Sequence, residues 1–377
     1  MGPSRVAVVR CESYEPREVE AAVARGLELL GGAGEFVAPG ERIVLKPNLL
    51  VASGPDAAVT THPAVFTAVA RQLAEAGAML SWGDSPGFGS TAGAARKAGI
   101  VEAAEALGIP AAEFGTGRTV SFPEGRLIKQ FTIAPGVLDA DGLVTLPKLK
   151  THQLTRMTGA IKNQFGCIPG LLKPEFHTRM PDVDRFCQML VDLNRFIRPR
   201  LAVMDAIVAM EGNGPRGGDP RHVGVLLFSD DLVAIDAIGC RIMSLDTALV
   251  GTVVYGEQRG LGSASDIELV GDKLPIITDY AVNRSPASTT GGAIGNVWGR
   301  KLLAPRPFIL PERCTKCGTC VTVCPVEPKA VDWIDGDKKR PPAHHYERCI
   351  RCYCCQEMCP EKAIEVKTPL LGKMIRR

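Results

Sequence analysis

The chain has 377 residues and a net charge of +3, with 45% hydrophobic, 23% charged and 5% aromatic residues. This length and balance are typical of a globular enzyme with two or three domains. The small net charge and the few aromatic residues argue against a nucleic acid partner. No apolar run approaches the ~18 residues of a membrane span, and residues 1–10 contain no secretory signal. The sequence therefore predicts a cytoplasmic protein without a membrane span.

Strands and helices are predicted to alternate along residues 1–284. Apolar runs predict strands at residues 5–10, 42–45, 78–82, 109–114, 142–146, 201–204 and 222–228. Helices are predicted at residues 15–30, 63–76, 91–107, 182–197 and 232–243. The alternation indicates an α/β fold with a mostly parallel sheet flanked by helices. Residues 285–305 are predicted to link this domain to a small one at residues 306–377.

Polar residues follow the carboxyl ends of several predicted strands, which is the edge where open α/β sheets bind ligands. Lysines and histidines at one rim attract a carboxylate or phosphate, so we expect a small anionic substrate. Imidazole changes charge near neutral pH, which makes His152 or His62 the candidate proton donor. The candidate catalytic residues are therefore His152, His62 and Lys148. The predicted substrate-binding residues are Lys46, Asn48, Asp84, Lys150, Lys162, Asn163, Asp205, Glu211 and Asn213. The simpler alternative is a set of separate, solvated loop ends.

Two further patterns in this region favour other cofactors. The run from Gly87 to Gly93 follows a strand, and Glu113 lies about twenty residues further on, as in a dinucleotide fingerprint. This pattern favours a flavin or a nucleotide. A divalent metal such as Mg or Mn is the other candidate, because oxygen and imidazole ligands suit it. Its ligands would be Asp84, Asp205, Glu211 and His62.

The C-terminal part of the chain repeats one cysteine pattern. Each copy reads C-x2-C-x2-C-x3-C-P, which is the run of bacterial two-cluster ferredoxins. Three thiolates lie on one loop, whereas the fourth begins a helical turn that points to the other cluster, so we expect crossed ligation. The sequence predicts two 4Fe-4S clusters, one bound by Cys314, Cys317, Cys320 and Cys359 and the other by Cys349, Cys352, Cys355 and Cys324.

Zinc and disulfide bonds are the simpler alternatives for these cysteines. Zinc sites pair two C-x2-C couples across a longer spacer, and disulfides need an oxidising compartment. An extra thiol, Cys354, lies beside Cys355 and is either an alternative ligand or a bystander. The spacer from Val326 to Arg348 predicts a polar hairpin, which is a docking surface or a solvated loop.

Two family resemblances follow from these motifs. Residues 306–367 resemble the small α+β domain of bacterial-type two-cluster ferredoxins, including strand-like ends at residues 307–310 and 363–366. Six motifs resemble, in order, the family called domain of unknown function three-six-two. They are residues 46–48, 61–63, 83–87, 147–152, 159–163 and 205–215. This second resemblance spans residues 40–245 and implies an iron–sulfur protein with an α/β domain whose pocket contains those positions.

Together these features predict an iron–sulfur oxidoreductase. A low-potential donor, such as a ferredoxin or a partner redox enzyme, would supply electrons through the clusters to the anionic molecule in the α/β crevice. Two clusters suit this task because each stores one electron, while reduction of a carbon or nitrogen double bond needs two. The alternatives are an electron-transfer subunit that docks a partner enzyme, and a cluster-dependent ligand-binding or sensor protein without turnover.

Overall fold

The computed structural model describes residues 2–285 and 305–369. Its strands are β1 (Ser4–Arg10), β2 (Arg42–Pro47), β3 (Met79–Trp82), β4 (Arg118–Ser121), β5 (Gln130–Ile133), β6 (Gly142–Leu146), β7 (Lys148–His152), β8 (Arg156–Thr158), β9 (Leu201–Glu211), β10 (Asp219–Ser229), β11 (Ile267–Gly271), β12 (Arg306–Ile309), β13 (Val331–Asp332), β14 (Ala343–His344) and β15 (Ile364–Lys367).

The helices are short to medium in length. They are α1 (Pro16–Leu29), α2 (Pro63–Glu75), α3 (Thr91–Lys97), α4 (Ile100–Ala106), α5 (Pro135–Leu138), α6 (Ala160–Asn163), α7 (Lys173–Arg179), α8 (Val183–Ile197), α9 (Leu232–Ile242), α10 (Gly251–Gln258), α11 (Thr319–Thr322) and α12 (Cys354–Met358). Among the described residues, no helix is long and apolar enough to span a bilayer.

One large sheet organises the α/β part, and its strand order is β11-β1-β10-β9-β6-β2-β3. β7 pairs in parallel with β9 beyond the end of β6, and β8 pairs with β7 in the antiparallel sense. Five of the strand pairs are parallel, namely β1–β11, β2–β3, β2–β6, β6–β9 and β7–β9. β10 is antiparallel to both of its neighbours. The predicted α/β class with a mostly parallel sheet is therefore confirmed.

The apolar core lies on both faces of this sheet. Side chains alternate between the faces of a strand, so Val6 and Val8 join one core and Ala7 and Val9 join the other. Helices α8 and α9 cover the first face, and α1 and α2 cover the second. Burial of both faces explains why β1 is an almost uninterrupted apolar run.

The structure corrects several predicted boundaries. The predicted helix at residues 91–107 is two helices, because Gly99 adopts a left-handed conformation with φ of 75° between them. The predicted strand at residues 109–114 is reduced to one bridge between Trp82 and Ala111. β2 and β9 run further than predicted, and residues 148–152 form a strand rather than a loop. The sequence also did not predict α10 or β11.

The cysteine-rich part contains two small antiparallel sheets. β12 pairs with β15, which joins the two strand-like ends that flank the cysteine runs. β13 pairs with β14, and this pairing forms the predicted hairpin. The predicted linker, residues 285–305, falls mainly on residues 286–304, which lie outside the described residues.

Candidate functional site

The cysteines of the two runs line two separate hollows. One hollow, of about 330 Å³, is lined by Cys314, Cys317, Cys320 and Cys359. The other, of about 310 Å³, is lined by Cys324, Cys349, Cys352 and Cys355. The fourth cysteine of each run therefore crosses to the hollow of the other run, which is the grouping expected from the sequence spacing.

The hollows fit a multinuclear cluster better than a single ion. Within residues 2–285 and 305–369, no three His, Cys, Asp or Glu side chains converge closely enough to hold one metal ion. A tetrahedral zinc site needs four ligands at about 2.0–2.3 Å from one point, whereas these sulfurs surround a space. Burial and neighbouring sulfurs raise the pKa of Cys320 to about 12, so several thiolates can share this hollow only with cationic metal.

Hydrogen bonds to sulfur support the same assignment. The backbone N–H of Ala330 donates to Cys324 Sγ at 3.3 Å, and that of Ala363 donates to Cys359 Sγ at 3.3 Å. His344 Nε2 lies 3.5 Å from Cys355 Sγ. Such bonds to ligand sulfurs stabilise thiolate charge and tune reduction potentials.

A third cavity, of about 750 Å³, lies between the sheet edge and the cysteine-rich part. Six residues that the sequence analysis proposed line it, namely Asn48, Asp84, Lys150, His152, Lys162 and Asn163. Val323, Cys354, Glu357 and Met358 line it from the cysteine-rich part. Helix α12 therefore connects the cavity with both hollows. Its residues Cys354, Glu357 and Met358 line the cavity, and Cys355 lines one hollow. Cys359, which follows the last residue of the helix, lines the other hollow.

Local structure explains how the cavity side chains are aimed. Lys150 and His152 are two residues apart on β7, so they share one face of that strand. Lys162 lies on α6, whose first amides, those of Ala160 and Ile161, donate to the buried Asp236 carboxylate at 2.6 and 3.1 Å. A third cation and a second imidazole come from α7, where Lys173 and His177 are four residues apart.

The lysines of this cavity have few partners. Lys150 Nζ donates to Val59 O at 2.6 Å, and burial with the nearby Lys162 and Lys148 lowers the pKa of Lys150 to about 7. Burial likewise lowers the pKa of Lys173 to about 7, and its Nζ donates to the carbonyls of Ser85 and Pro86. Lys162 has no hydrogen-bond acceptor among the described residues, and its Nζ lies 5.1 Å from the centroid of the Phe165 ring.

Two imidazoles and one carboxylate complete the cavity. His152 Nδ1 accepts the N–H of Leu154 at 3.0 Å, so a neutral ring carries its proton on Nε2, which lies 3.1 Å from Glu357 Oε1. Burial lowers the pKa of His152. Burial favours the neutral form of Glu357, but His152, Lys162 and His177 outweigh it and lower its pKa to about 2. Burial lowers the pKa of His177 to about 4.

Lys46 does not line the cavity but pairs with Asp84, which does. Its Nζ is 2.6 Å from Asp84 Oδ1, and Asp84 Oδ2 accepts the N–H of Leu49 at 2.7 Å. Gly166 allows this pair to form, because a Cβ there would come within 1.8 Å of Asp84 Oδ1 and 2.6 Å of Lys46 Nζ. Lys46 and Asp84 thus neutralise each other, and neither charge is left for a ligand.

Three of the predicted site residues form a different network. Lys148 Nζ is 2.8 Å from Asp205 Oδ2 and donates to Tyr14 OH at 2.7 Å. Asp205 also accepts from Tyr14 OH at 2.8 Å and from the backbone N–H of His62 at 3.0 Å. The His62 ring stacks on Tyr14 with centroids 3.6 Å apart, and burial lowers the pKa of His62 to about 4. None of the four lines the 750 Å³ cavity.

The last two predicted substrate-binding residues lie elsewhere. Glu211 pairs with Arg221 at 3.5 Å. Asn213 belongs to the contact between the two parts of the chain, because its Nδ2 donates to Ile364 O at 3.0 Å and its backbone O accepts from Gln356 Nε2 at 2.9 Å. The residues predicted to share one rim therefore lie in different places, namely the cavity, a buried network and the contact between the two parts of the chain.

The glycine run and the metal pattern are also separated. Gly87 lines the cavity, but Glu113 accepts the N–H groups of Gly115 and Thr116 from its own loop at 2.7 and 2.9 Å. Asp84 and Asp205, two of the proposed divalent-metal ligands, are each paired with a lysine. The flavin or nucleotide and the divalent metal remain predictions.

Sequence reasoning missed several cavity residues. Lys173 and His177 lie in a stretch to which no element was assigned, although their four-residue spacing was a usable helical signal. Glu357 lies between cysteines and was assigned no role of its own. Outside the cavity, Arg216, which donates to Met358 O at 2.7 Å, was also not anticipated.

The fold and the hollows define an α/β protein joined to a cysteine-rich module of the iron–sulfur type. Residues 43–241 match the family described as Domain of unknown function (DUF362), and residues 298–364 match the 4Fe-4S dicluster domain. The chain belongs to the DUF362 family and carries a 4Fe-4S ferredoxin-like domain, as the motifs predicted. This domain supports an iron–sulfur electron-transfer role.

Known proteins resemble the chain to different degrees. A thylakoid-associated protein of Synechocystis is 43% identical over 261 residues, which are 68% of this chain and 79% of that protein. The lactate racemase apoprotein from Thermoanaerobacterium thermosaccharolyticum is 13% identical with a TM-score of 0.41, over 65% of this chain and 57% of that one. A Thermotoga maritima protein is 13% identical with a TM-score of 0.32, over 58% of this chain and 56% of that one. The chain thus spans less than two thirds of either solved structure.

Proposed function

We propose that the protein is an oxidoreductase in which two 4Fe-4S clusters pass electrons to a small organic anion in the 750 Å³ cavity. The position of helix α12 is the observation that carries this proposal. Cys354 and Glu357 of this helix line the cavity, while Cys355 lines one hollow and the following Cys359 lines the other. In this proposal residues 306–377 hold the clusters, residues 1–284 hold the substrate, and the protein works in the cytoplasm.

The proposed reaction is a two-electron reduction of a double bond. A low-potential donor supplies two electrons singly through the clusters, and the substrate takes up these electrons and two protons. Lys150 and Lys173 suit the proton supply, because their pKa values of about 7 lie near the operating pH. Lys162 would hold the anionic group, and His152, fixed between the amide of Leu154 and Glu357, would hold the Glu357 carboxylate in place.

The cluster assignment is tested by iron and sulfide content after anaerobic purification. We expect about eight irons per chain, a loss of about four in Cys355→Ser, and no loss in Cys354→Ala. Equal losses in both variants would make Cys354 a ligand. Zinc without iron would contradict the cluster assignment altogether.

The enzyme assignment is tested by reoxidation of the reduced protein. Anaerobic protein reduced with dithionite is freed of excess reductant and mixed with candidate organic acids, and cluster absorbance is followed in time. We expect at least one acid to restore the oxidised spectrum and Lys162→Met to slow this step, with the exposed Lys273→Met as a matched control. Binding of an acid without reoxidation would instead favour a ligand sensor.

A further inference from the structure

We infer that the ligand of the 750 Å³ cavity is an organic carboxylate with a conjugated apolar body and one hydrogen-bond donor. This inference rests on the proposed function and names the substrate class of the same cavity. Three independent features of the lining support it, namely cations with unused donors, an apolar side against the cluster-bearing helix, and a buried acceptor that has no partner within residues 2–285 and 305–369.

The lysines that line the cavity outnumber its carboxylates, so they call for a further anion. An ammonium group has three N–H donors, and Lys150 uses one of them on Val59 O. The carboxylate of Asp84 is already paired with Lys46, and Glu357 supplies one negative charge near Lys150 and Lys162. Lys150 and Lys162 therefore keep donors for a ligand, and a single carboxylate matches this charge better than a polyanion does.

The apolar lining calls for more than an inorganic anion. Leu50, Phe165 and Pro174 line the cavity from the α/β part, and Val323 and Met358 line it from the cysteine-rich part. An aromatic ring and a thioether on opposing elements make favourable contacts with a flat, conjugated body. Acetate or phosphate would leave this surface in contact with water, so neither fills the site.

The chemistry of the cavity lining also argues against a nucleotide. A nucleotide adds charged phosphate and a polar ribose, which would lie against the apolar side. The body next to Met358 and Cys354 is also the part of the ligand nearest to the cluster-bearing helix, so a conjugated double bond there is placed to accept electrons.

Asn48 adds a hydrogen-bond requirement. Asn48 is 8% exposed and lines the cavity, and its buried Oδ1 has no hydrogen-bond partner in the described part of the chain. Buried polar groups in native proteins are nearly always hydrogen-bonded, so the ligand is expected to supply a donor. A hydroxyl or amino group on the conjugated body meets this need.

The test measures binding to the oxidised, cluster-loaded full chain by calorimetry without oxygen. The probes are 4-hydroxycinnamate, cinnamate, 4-hydroxystyrene, acetate, inorganic phosphate and adenosine monophosphate. We expect 4-hydroxycinnamate to bind most tightly, cinnamate about fivefold more weakly, and the probe without a carboxylate at least about tenfold more weakly. Acetate and phosphate should bind at least about a hundredfold more weakly.

Variants connect each preference to one side chain. Lys162→Met should weaken 4-hydroxycinnamate about tenfold or more, and Lys273→Met, at an exposed position outside the cavity, should leave its affinity unchanged. Asn48→Ala should remove the difference between 4-hydroxycinnamate and cinnamate while cinnamate itself binds as before. This loss of selectivity is a readout that a folding defect does not imitate, and iron content confirms that each variant keeps its clusters.

Defined outcomes overturn the inference. It fails if neither cinnamate binds, if phosphate or acetate binds as tightly as they do, or if adenosine monophosphate binds more tightly. It also fails if Asn48→Ala keeps the hydroxyl preference. Binding is measured in the oxidised state, so tight binding without reoxidation of reduced clusters would refute the proposed reductase and leave the ligand class intact.

Discussion

Lys148 and Lys150 are two residues apart on β7 and equally buried, since the two residues are 0% and 1% exposed, but their surroundings differ. Lys148 lies 2.8 Å from the Asp205 carboxylate and donates to Tyr14 OH. Lys150 has only the carbonyl of Val59 as its hydrogen-bond acceptor among the described residues. A carboxylate partner neutralises the charge of a buried ammonium group, whereas an ammonium group without a directly bonded carboxylate destabilises the fold until a ligand supplies one. The first network is therefore structural, and the second is suited to bind an anion.

Removal of the Asp205 carboxylate from the Lys148 network should have the largest effect on stability. Asp205→Ala leaves Lys148 without a counter-charge and removes an acceptor from Tyr14 OH and from the N–H of His62. We expect the free energy of unfolding to fall by about 3–5 kcal/mol, measured by urea denaturation. Asp279→Ala is the matched control, because Asp279 forms an exposed pair with Arg221. Equal losses in the two variants would contradict the comparison.

Replacement of each lysine by methionine should change stability in opposite directions. Lys150→Met removes an unpaired buried charge, so we expect a gain of about 1–2 kcal/mol together with loss of anion binding. Lys148→Met leaves Asp205 buried without its cation, so we expect a loss of about 3 kcal/mol. Urea denaturation of both variants under the same conditions measures the two changes in the free energy of unfolding. A change of the same sign in both would refute the distinction between the networks.

The pH dependence of stability should report the unpaired lysines. Burial lowers the pKa of Lys150 and of Lys173 to about 7 in the folded state, against about 10.4 in an unfolded chain. Between these values the unfolded chain binds more protons, so the free energy of unfolding should rise with pH, by up to about 1.4 kcal/mol per unit for each lysine. Below pH 7 both states are protonated and the penalty of these lysines is fully present.

Two measurements check this pH effect. The stability advantage of Lys150→Met over the unmodified protein should shrink between pH 7 and pH 9, because the unmodified protein recovers stability there. Affinity for the anionic ligand should fall over the same window, because the lysines lose their charge. A constant advantage between the two pH values would place the pKa of Lys150 outside this range.

The smallest effect is expected at Tyr14. Tyr14→Phe removes a hydroxyl that accepts from Lys148 and from the N–H of Val208 at 3.1 Å, but it keeps the ring stacked on His62. We expect a loss of about 1 kcal/mol in the free energy of unfolding. Ligand affinity should not change, because Tyr14 does not line the cavity. A larger loss of affinity than of stability would link the two networks.

Sequence reasoning placed most strands but ended some of them too early. β2 and β9 were stopped before Lys46 and Asp205, because a charged residue usually marks the end of a buried strand. Both residues instead lie inside their strands, since Asp84 and Lys148 supply opposite charges from elements that are distant in sequence. Burial of a charge depends on its partner, and no local pattern contains that partner.

The sequence by itself determined the cysteine grouping, because spacings of two and three residues set which sulfurs share a loop and which one begins the next turn. Only the tertiary structure decided which lysines have a carboxylate partner. Lys148 pairs along β9 with Asp205 and Lys150 with Met210, so an irregularity in register sends two neighbouring lysines to different surroundings. The cavity likewise exists because α12 packs against the sheet edge, and contacts between distant segments depend on packing rather than on local spacing.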